Sequence, residues 1–450
     1  MSSRCALRCR PTIPRVPGSR GFRGWLAAAA AAAVLVGLAV VSLPEQRSSE
    51  RVQQAVGPAG NAAAPESREA AVRAVLDQRA QAVRQRDEAA FLASVDPAAP
   101  AEFREGQRRL YRNLAMVPFA AWDYRVDGRS VVDVPETAGA AETWSPRVSL
   151  RYALHGVDSA PTTRGLGYVF VRRGADWYLA ADEVPDEPAR RTWRGPWDFS
   201  ELHPVATRSG LVIGHRENRA QTERVAAHLD EAVAEVNRVW GVRWPQRVGV
   251  LLPESPQELS ELVGPEFSVD GIAAVAIADR VDHAQRRVEG QRVVLNPRTA
   301  QRLSESSLRS VLVHEVTHIA ARPDTVDGSP MWLLEGFADY VGYRDNPGSG
   351  AHLAPDLARQ VRISGPPGAL PDDGDFHSAG RNLDLAYQQS WSFVDYLAQR
   401  FGPERVVQLY RRIAATGDAD EVETALREVL GTDRGRLLAD WGAALEREFG

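Results

Sequence analysis

The stretch from Ser310 to Ala321, SVLVHEVTHIAA, places two histidines four residues apart with a glutamate directly after the first. On a helix that spacing is about one turn, so the imidazoles of His314 and His318 stand on one face and can grip a single metal ion. Glu315 is within reach of a water that such an ion activates. A zinc ion needs a third protein ligand and a free position for water. Downstream, SPMWLLEGFADYVGY reads as a second helix, with Ser329 as N-cap and Pro330 at the first position. On it, Glu335 follows His318 by 16 intervening residues, enough for a turn and an antiparallel return, and Asp339 lies one turn further on the same face.

HExxH followed by W-L-x-E-G-x-A-x-Y resembles the gluzincin metallopeptidases, the group that includes thermolysin and the aminopeptidase N relatives, and is most similar to the bacterial peptidase MA-like proteins. The resemblance implies His314, His318 and Glu335 as zinc ligands and Glu315 as general base of a peptide hydrolase. It also implies that Asp339 holds a ligand histidine in the right tautomer. In LAYQQSWSFVDYLAQRFG, Tyr387 matches a tyrosine that hydrogen-bonds the tetrahedral intermediate in the aminopeptidase N relatives, so the same resemblance makes it the candidate oxyanion donor. Two departures stand out. The gap from His318 to Glu335 is shorter than in the aminopeptidase N pattern, and the G-x-M-E-N signature that binds a free amino end is absent, the comparable strand reading GIAAVAIADR. Aminopeptidase specificity is therefore not implied. The competing reading is a zincin-fold binding or scaffolding protein without turnover; the complete set of residues argues against it, since a scaffold has no need of Glu315.

The elements that must position these groups are legible in outline. Ser304 is a good N-cap for the HExxH helix, with Glu305 in its first turn. Before it, TERVAAHLDEAVAEVNRVWG reads as a helix, and RVGVLLP, IAAVAIAD and QRVVLNP read as strands. Strands, then the motif helix, then mostly helices to the end make an α+β domain over residues 200–450. The Pro- and Gly-rich connection before Tyr387 is placed to overhang the cleft, and its His352 and His377 are in position to touch substrate. Upstream, residues 68–95 carry a helical apolar period, followed by alternating segments from Ala121, Arg147, Gly167 and Asp176. Val148, Leu150, Tyr152 and Leu154 occupy every second position, so one face of an antiparallel sheet is buried. A long helix on a curved antiparallel sheet over residues 67–190 loosely resembles the cone-shaped nuclear transport factor 2-like α+β fold. For that region a spacer or docking role is expected.

The 450 residues allow two or three domains, and a net charge of -5 without a basic run outside the extreme N-terminus argues against nucleic acid as a partner. Lysine is absent, so every fixed positive side chain is arginine. Residues 1–24 carry six arginines and no acid, as a cytoplasmic tail would, and residues 25–43 are uncharged throughout. At helical rise that run spans about 28 Å, the thickness of a bilayer core. The expectation is a single-pass membrane anchor with the body outside the cytoplasm, the alternative being secretion after signal cleavage. Residues 45–66 then form a flexible stalk. Cys5 and Cys9 both precede the apolar run, so the body has no thiolate for nucleophilic or metal chemistry.

Overall fold

The computed structural model describes residues 65–184, 187–264, 272–344, 350–377, 380–418 and 421–450, all within one compact unit, residues 33–450. The expected tail (1–24), the membrane anchor (25–43) and nearly all of the stalk lie outside the described residues. Among the described residues no helix is long and apolar enough to cross a membrane.

Three helices come first: α1 (Pro65–Gln85), α2 (Glu88–Ala93) and α3 (Ala101–Met116). The apolar period through residue 95 suggested one helix. The chain instead breaks at Arg86, whose φ of 58° is not helical, and Asp87 then caps α2 by accepting from the Ala90 N–H at 2.9 Å. Five antiparallel strands follow, β1 (Phe119–Val132), β2 (Glu142–Leu154), β3 (Thr162–Leu166), β4 (Val169–Arg173) and β5 (Asp176–Ala181), in the order β1-β2-β4-β5 with β3 also paired to β2. The alternating Val148, Leu150, Tyr152 and Leu154 of β2 are all buried, in one core with Val72 and Leu76 of α1, Phe91 of α2 and Tyr111 of α3.

The remaining strands are β6 (Leu202–Thr207), β7 (Gly210–His215), β8 (Val248–Leu251), β9 (Ala274–Ile277), β10 (Arg280–Asp282), β11 (Arg287–Glu289) and β12 (Arg292–Leu295). Between them lie α4 (Arg219–Trp240) and α5 (Pro256–Val263). Five strands form a mixed sheet, β6-β7-β8-β12-β9, in which β7, β8 and β12 are parallel and the outer two strands antiparallel to their neighbours. β10 and β11 pair as a separate hairpin. Every residue of β7, β8, β9 and β12 is buried. Their alternate residues serve two different cores: Val212, Val250, Ala276 and Val293 face the helices, whereas Ile213, Leu251, Val275 and Val294 share a core with Tyr152, Leu154 and Trp197. The sheet is thus a middle layer, with β1 to β5 supplying the cover on one side.

The other side is helical: α6 (Pro297–Ala300), α7 (Glu305–Ala321), α8 (Met331–Tyr343), α9 (Gly350–Leu353), α10 (Pro355–Ser364), α11 (Arg381–Phe401), α12 (Pro403–Ala414), α13 (Glu421–Leu430) and α14 (Arg434–Phe449). α7 lies between the sheet and α8, and α11 packs on α8 in turn. The whole is a mixed α+β fold with a largely helical C-terminal part.

Candidate metal centre

α7 is set in place at its start. The Ser304 hydroxyl accepts from the Ser307 N–H at 3.1 Å, and Glu305 in the first turn pairs with Arg224 and His228 of α4 at 2.5 and 2.6 Å. From Ser310 to Ala321 every residue is buried, polar ones included. α8 begins one residue later than its sequence suggested. Pro330 is the N-cap, because the Ser329 hydroxyl turns back to donate to the carbonyls of Val326 at 2.7 Å and Ala414 at 3.2 Å. α8 crosses α7 closely at Gly342, where a Cβ would sit 3.0 Å from the Ser310 carbonyl. That approach brings the acidic face of α8 onto the two histidines.

The Nε2 atoms of His314 and His318 are 2.9 Å apart, and Glu335 Oε2 lies 3.3 Å from the first and 3.8 Å from the second. All three side chains are buried, and their ligating atoms form one compact group. Asp339 Oδ1 is 2.8 Å from His314 Nδ1. With a proton on Nδ1 donated to Asp339, the Nε2 lone pair of a neutral His314 points at His318 and Glu335. Burial pulls the His314 pKa down, but Asp339 and Glu335 more than offset it and hold it up at about 10. A proton and a metal cation compete for that same lone pair. His318 is lowered, by burial and by the neighbouring His314 charge. Burial raises the Glu335 carboxyl, yet the two histidines outweigh it and leave the pKa below the usual range.

Glu315 stands at the back of the group, fully buried, with the backbone amide of Ala276 on β9 facing its carboxyl. Burial pushes its pKa up to about 8. Neither its oxygens nor those of Glu335 complete a hydrogen bond within the described residues. Buried polar atoms are nearly always satisfied, and each one left alone costs about 1–3 kcal/mol, more when charged. Two buried carboxylates without hydrogen-bond partners beside two facing imidazole nitrogens form a donor set that a dication completes. Two ligands on a tetrahedral zinc at bond lengths of about 2.0 Å stand about 3.3 Å apart, a value the three observed separations straddle. Two histidines and a carboxylate are also a donor set that zinc accepts when it keeps one position open. The residues present fit the ion. Beside His318 is a cavity of about 20 Å³, walled by Ala276, Ala278, Leu334 and Tyr410 among others, room for about one water.

The other expected residues are placed as follows. Tyr387, on α11, is buried with its ring 5.3 Å from Phe376 and does not line the cavity. The tyrosine that does is Tyr410 of α12, whose hydroxyl is 3.0 Å from that of Thr325. Burial raises the Tyr410 pKa, and the negative Glu335 adds to the shift. The sequence carried no signal for this, because QLYRRIA reads as an ordinary amphipathic helix with Tyr410 on its core face. His352 and His377 are not buried; the latter lies 2.8 Å from the Asp373 carbonyl. Sequence reasoning also missed a second group, His215, Glu254 and Glu258, where β7 ends and α5 begins.

Residues 304–447 match a family described as the Peptidase MA superfamily, a span that starts at the cap of α7 and takes in the helices from α8 onward. No curated protein matches the chain. Among solved structures, one that is similar is the crystal structure of a mutant M1 zinc metallopeptidase from Deinococcus radiodurans. It is 12% identical, over 68% of this chain and 91% of that one, with a TM-score of 0.30.

Proposed function

We propose that this chain is a zinc metallopeptidase that hydrolyses peptide bonds in peptide or protein substrates. The observation that carries the reading is the pair of buried, unsatisfied carboxylates, Glu315 and Glu335, set against the facing Nε2 atoms of His314 and His318. The match of residues 304–447 to the Peptidase MA superfamily supports it. His314, His318 and Glu335 hold the ion, and Asp339 fixes the tautomer of His314. Bound there, zinc supplies a Lewis acid that polarises the scissile carbonyl and acidifies the attacking water. Glu315 takes the proton from that water and returns it to the leaving amine.

The sequence resemblance assigned the oxyanion contact to Tyr387, but the tyrosine that lines the cavity is Tyr410, and we assign the contact to Tyr410. Tyr410→Phe is expected to lower turnover about a hundredfold, and Tyr387→Phe much less; the reverse order returns the role to Tyr387. The uncharged run 25–43 after an arginine-rich tail supports a membrane-anchored protein whose body lies outside the cytoplasm.

The test is hydrolysis of unstructured casein by the zinc-loaded chain with and without a chelator, together with Glu315→Gln. The variant is expected to keep its metal and to lose roughly 10²–10⁴-fold in rate. Full activity in the variant removes Glu315 from the mechanism. Metal binding with no cleavage by the wild type favours the scaffold reading.

A further inference from the structure

Ala276 and Ile277 of β9 line the cavity beside His318, and β9 is the last strand of its sheet, paired only to β12 among the described strands. Its residues alternate in allegiance. Ala274 and Ala276 face the helices, with the Ala276 amide on the side of Glu315, whereas Val275 and Ile277 belong to the core shared with β2. On that second face two acid–arginine pairs join the strand region to the first layer. Arg292, opposite Ile277 in the ladder, donates to both oxygens of Asp158 at 2.6 and 2.7 Å, with both side chains about 5% exposed or less. Asp279, two residues beyond β9, accepts from Thr162 and Arg164 of β3. Each side contributes one acid and one arginine, so the two pairs run in opposite senses and agree with only one docking register.

The chain also leaves room for both pairs. A Cβ on Gly249 would meet the Arg292 side chain at 2.9 Å and Val157 at 3.2 Å, and a Cβ on Gly290 would run into the Asp279 carboxylate. Arg164 is held in turn over the Trp193 ring at 4.7 Å, and Trp193 stacks on Tyr152 at 5.6 Å. These contacts lie on the side of the sheet that shares a core with β2, whereas His314, His318 and Glu335 stand on α7 and α8. They can therefore move the strand without moving His314, His318 or Glu335.

We infer that residues 65–184 act as a positioning clamp on β9: Asp158, Thr162 and Arg164, through Arg292 and Asp279, set the distance between the cavity wall and the metal ligands. The first layer is then part of the catalytic unit, and not a spacer. The kinetic consequence rests on the metallopeptidase reading; the structural one does not.

The experiment uses the full chain, zinc-loaded, as wild type, Arg164→Gln, Gly290→Ala and Arg164→Lys. Hydrogen exchange is followed by mass spectrometry on peptides covering residues 272–279 and, for comparison, residues 308–321 of α7. Zinc content and kcat/KM on a fluorogenic casein peptide are measured beside it. In Arg164→Gln and Gly290→Ala, exchange at 272–279 is expected to quicken on the order of tenfold, with α7 and zinc content unchanged. kcat/KM should fall by a similar factor, and Arg164→Lys should recover most of both. Unchanged exchange at 272–279 in both disrupting variants overturns the clamp. So does an equal rise in α7, which would mean a loss of general stability. If the wild type cleaves nothing, the metallopeptidase reading fails while the exchange arms still decide the clamp.

Discussion

Two groups of buried histidine and carboxylate lie on the same unit, and they differ in one respect. At the end of β7, His215 Nε2 is 2.8 Å from Glu258, its Nδ1 is 3.0 Å from the Ser200 hydroxyl, and the other Glu258 oxygen accepts from the Glu254 N–H at 2.8 Å. Every polar atom of His215 and Glu258 has a partner, and the group ties the end of a strand to the first turn of α5. Around His314 the arrangement is unfinished: two ring nitrogens face each other, and four carboxylate oxygens of Glu315 and Glu335 have no hydrogen bond. Composition does not separate the two groups, since both offer histidine and glutamate at ligand distance. Satisfaction does. A closed network stabilises the fold, whereas an open one costs stability until something fills it.

The sharpest way to break this contrast is to count metal. The wild-type chain is expected to bind one zinc by mass spectrometry, Glu335→Ala to lose it or hold it far more weakly, and His215→Ala to keep it. Two ions per chain, one of them lost in His215→Ala, would mean that hydrogen-bond completeness does not distinguish the groups. A smaller effect is expected from Asp339→Asn, which leaves the three ligands but blurs the tautomer of His314. Zinc affinity should drop by about 10–100-fold, read by competition with a chromogenic chelator. No drop would place Asp339 outside the site's working parts.

What the sequence showed and hid follows from how far apart the interacting residues are in the chain. The candidate site was legible because it is local: His314 and His318 share a helical face by spacing alone, and Glu335 and Asp339 repeat that spacing on the next helix. The helix start at Ser304 was legible for the same reason. The second layer was only half legible. Its continuous apolar runs, such as VGVLL and AAVAIA, signal strands buried on both faces, but nothing in them says that the second face is covered by residues from β2. Asp158 and Arg292 are 134 positions apart, and neither looks unusual where it stands. The hairpin of β6 and β7 escaped because GLVIGH has no alternation to mark it, and α3 because its apolar positions Leu110, Tyr111 and Leu114 sit among arginines and glutamates.

The gentlest probe of the contrast is the pH dependence of stability. His215→Gln keeps a polar side chain but removes the imidazole, and leaves Glu258 without its partner. The loss is expected to be about 1–3 kcal/mol, measured by urea unfolding of the metal-loaded chain, with zinc content unchanged. Its size should depend on pH with a defined sign. Burial lowers the His215 pKa, but the bond to Glu258 and the charges of Glu258 and Glu254 outweigh it, so the folded value lies above the ordinary imidazole range. A group whose pKa is raised by folding contributes its stability fully below the unfolded value, about 6.5, and loses it as pH rises through the folded one. The wild type's advantage over His215→Gln should therefore be full below the unfolded value and shrink as pH rises above it through the raised folded one. The residues around His314 are the same in both proteins, so their titration cancels in the difference. An advantage that grows with pH would mean that His215 is held neutral by its surroundings, and that the closed network is less complete than its distances indicate.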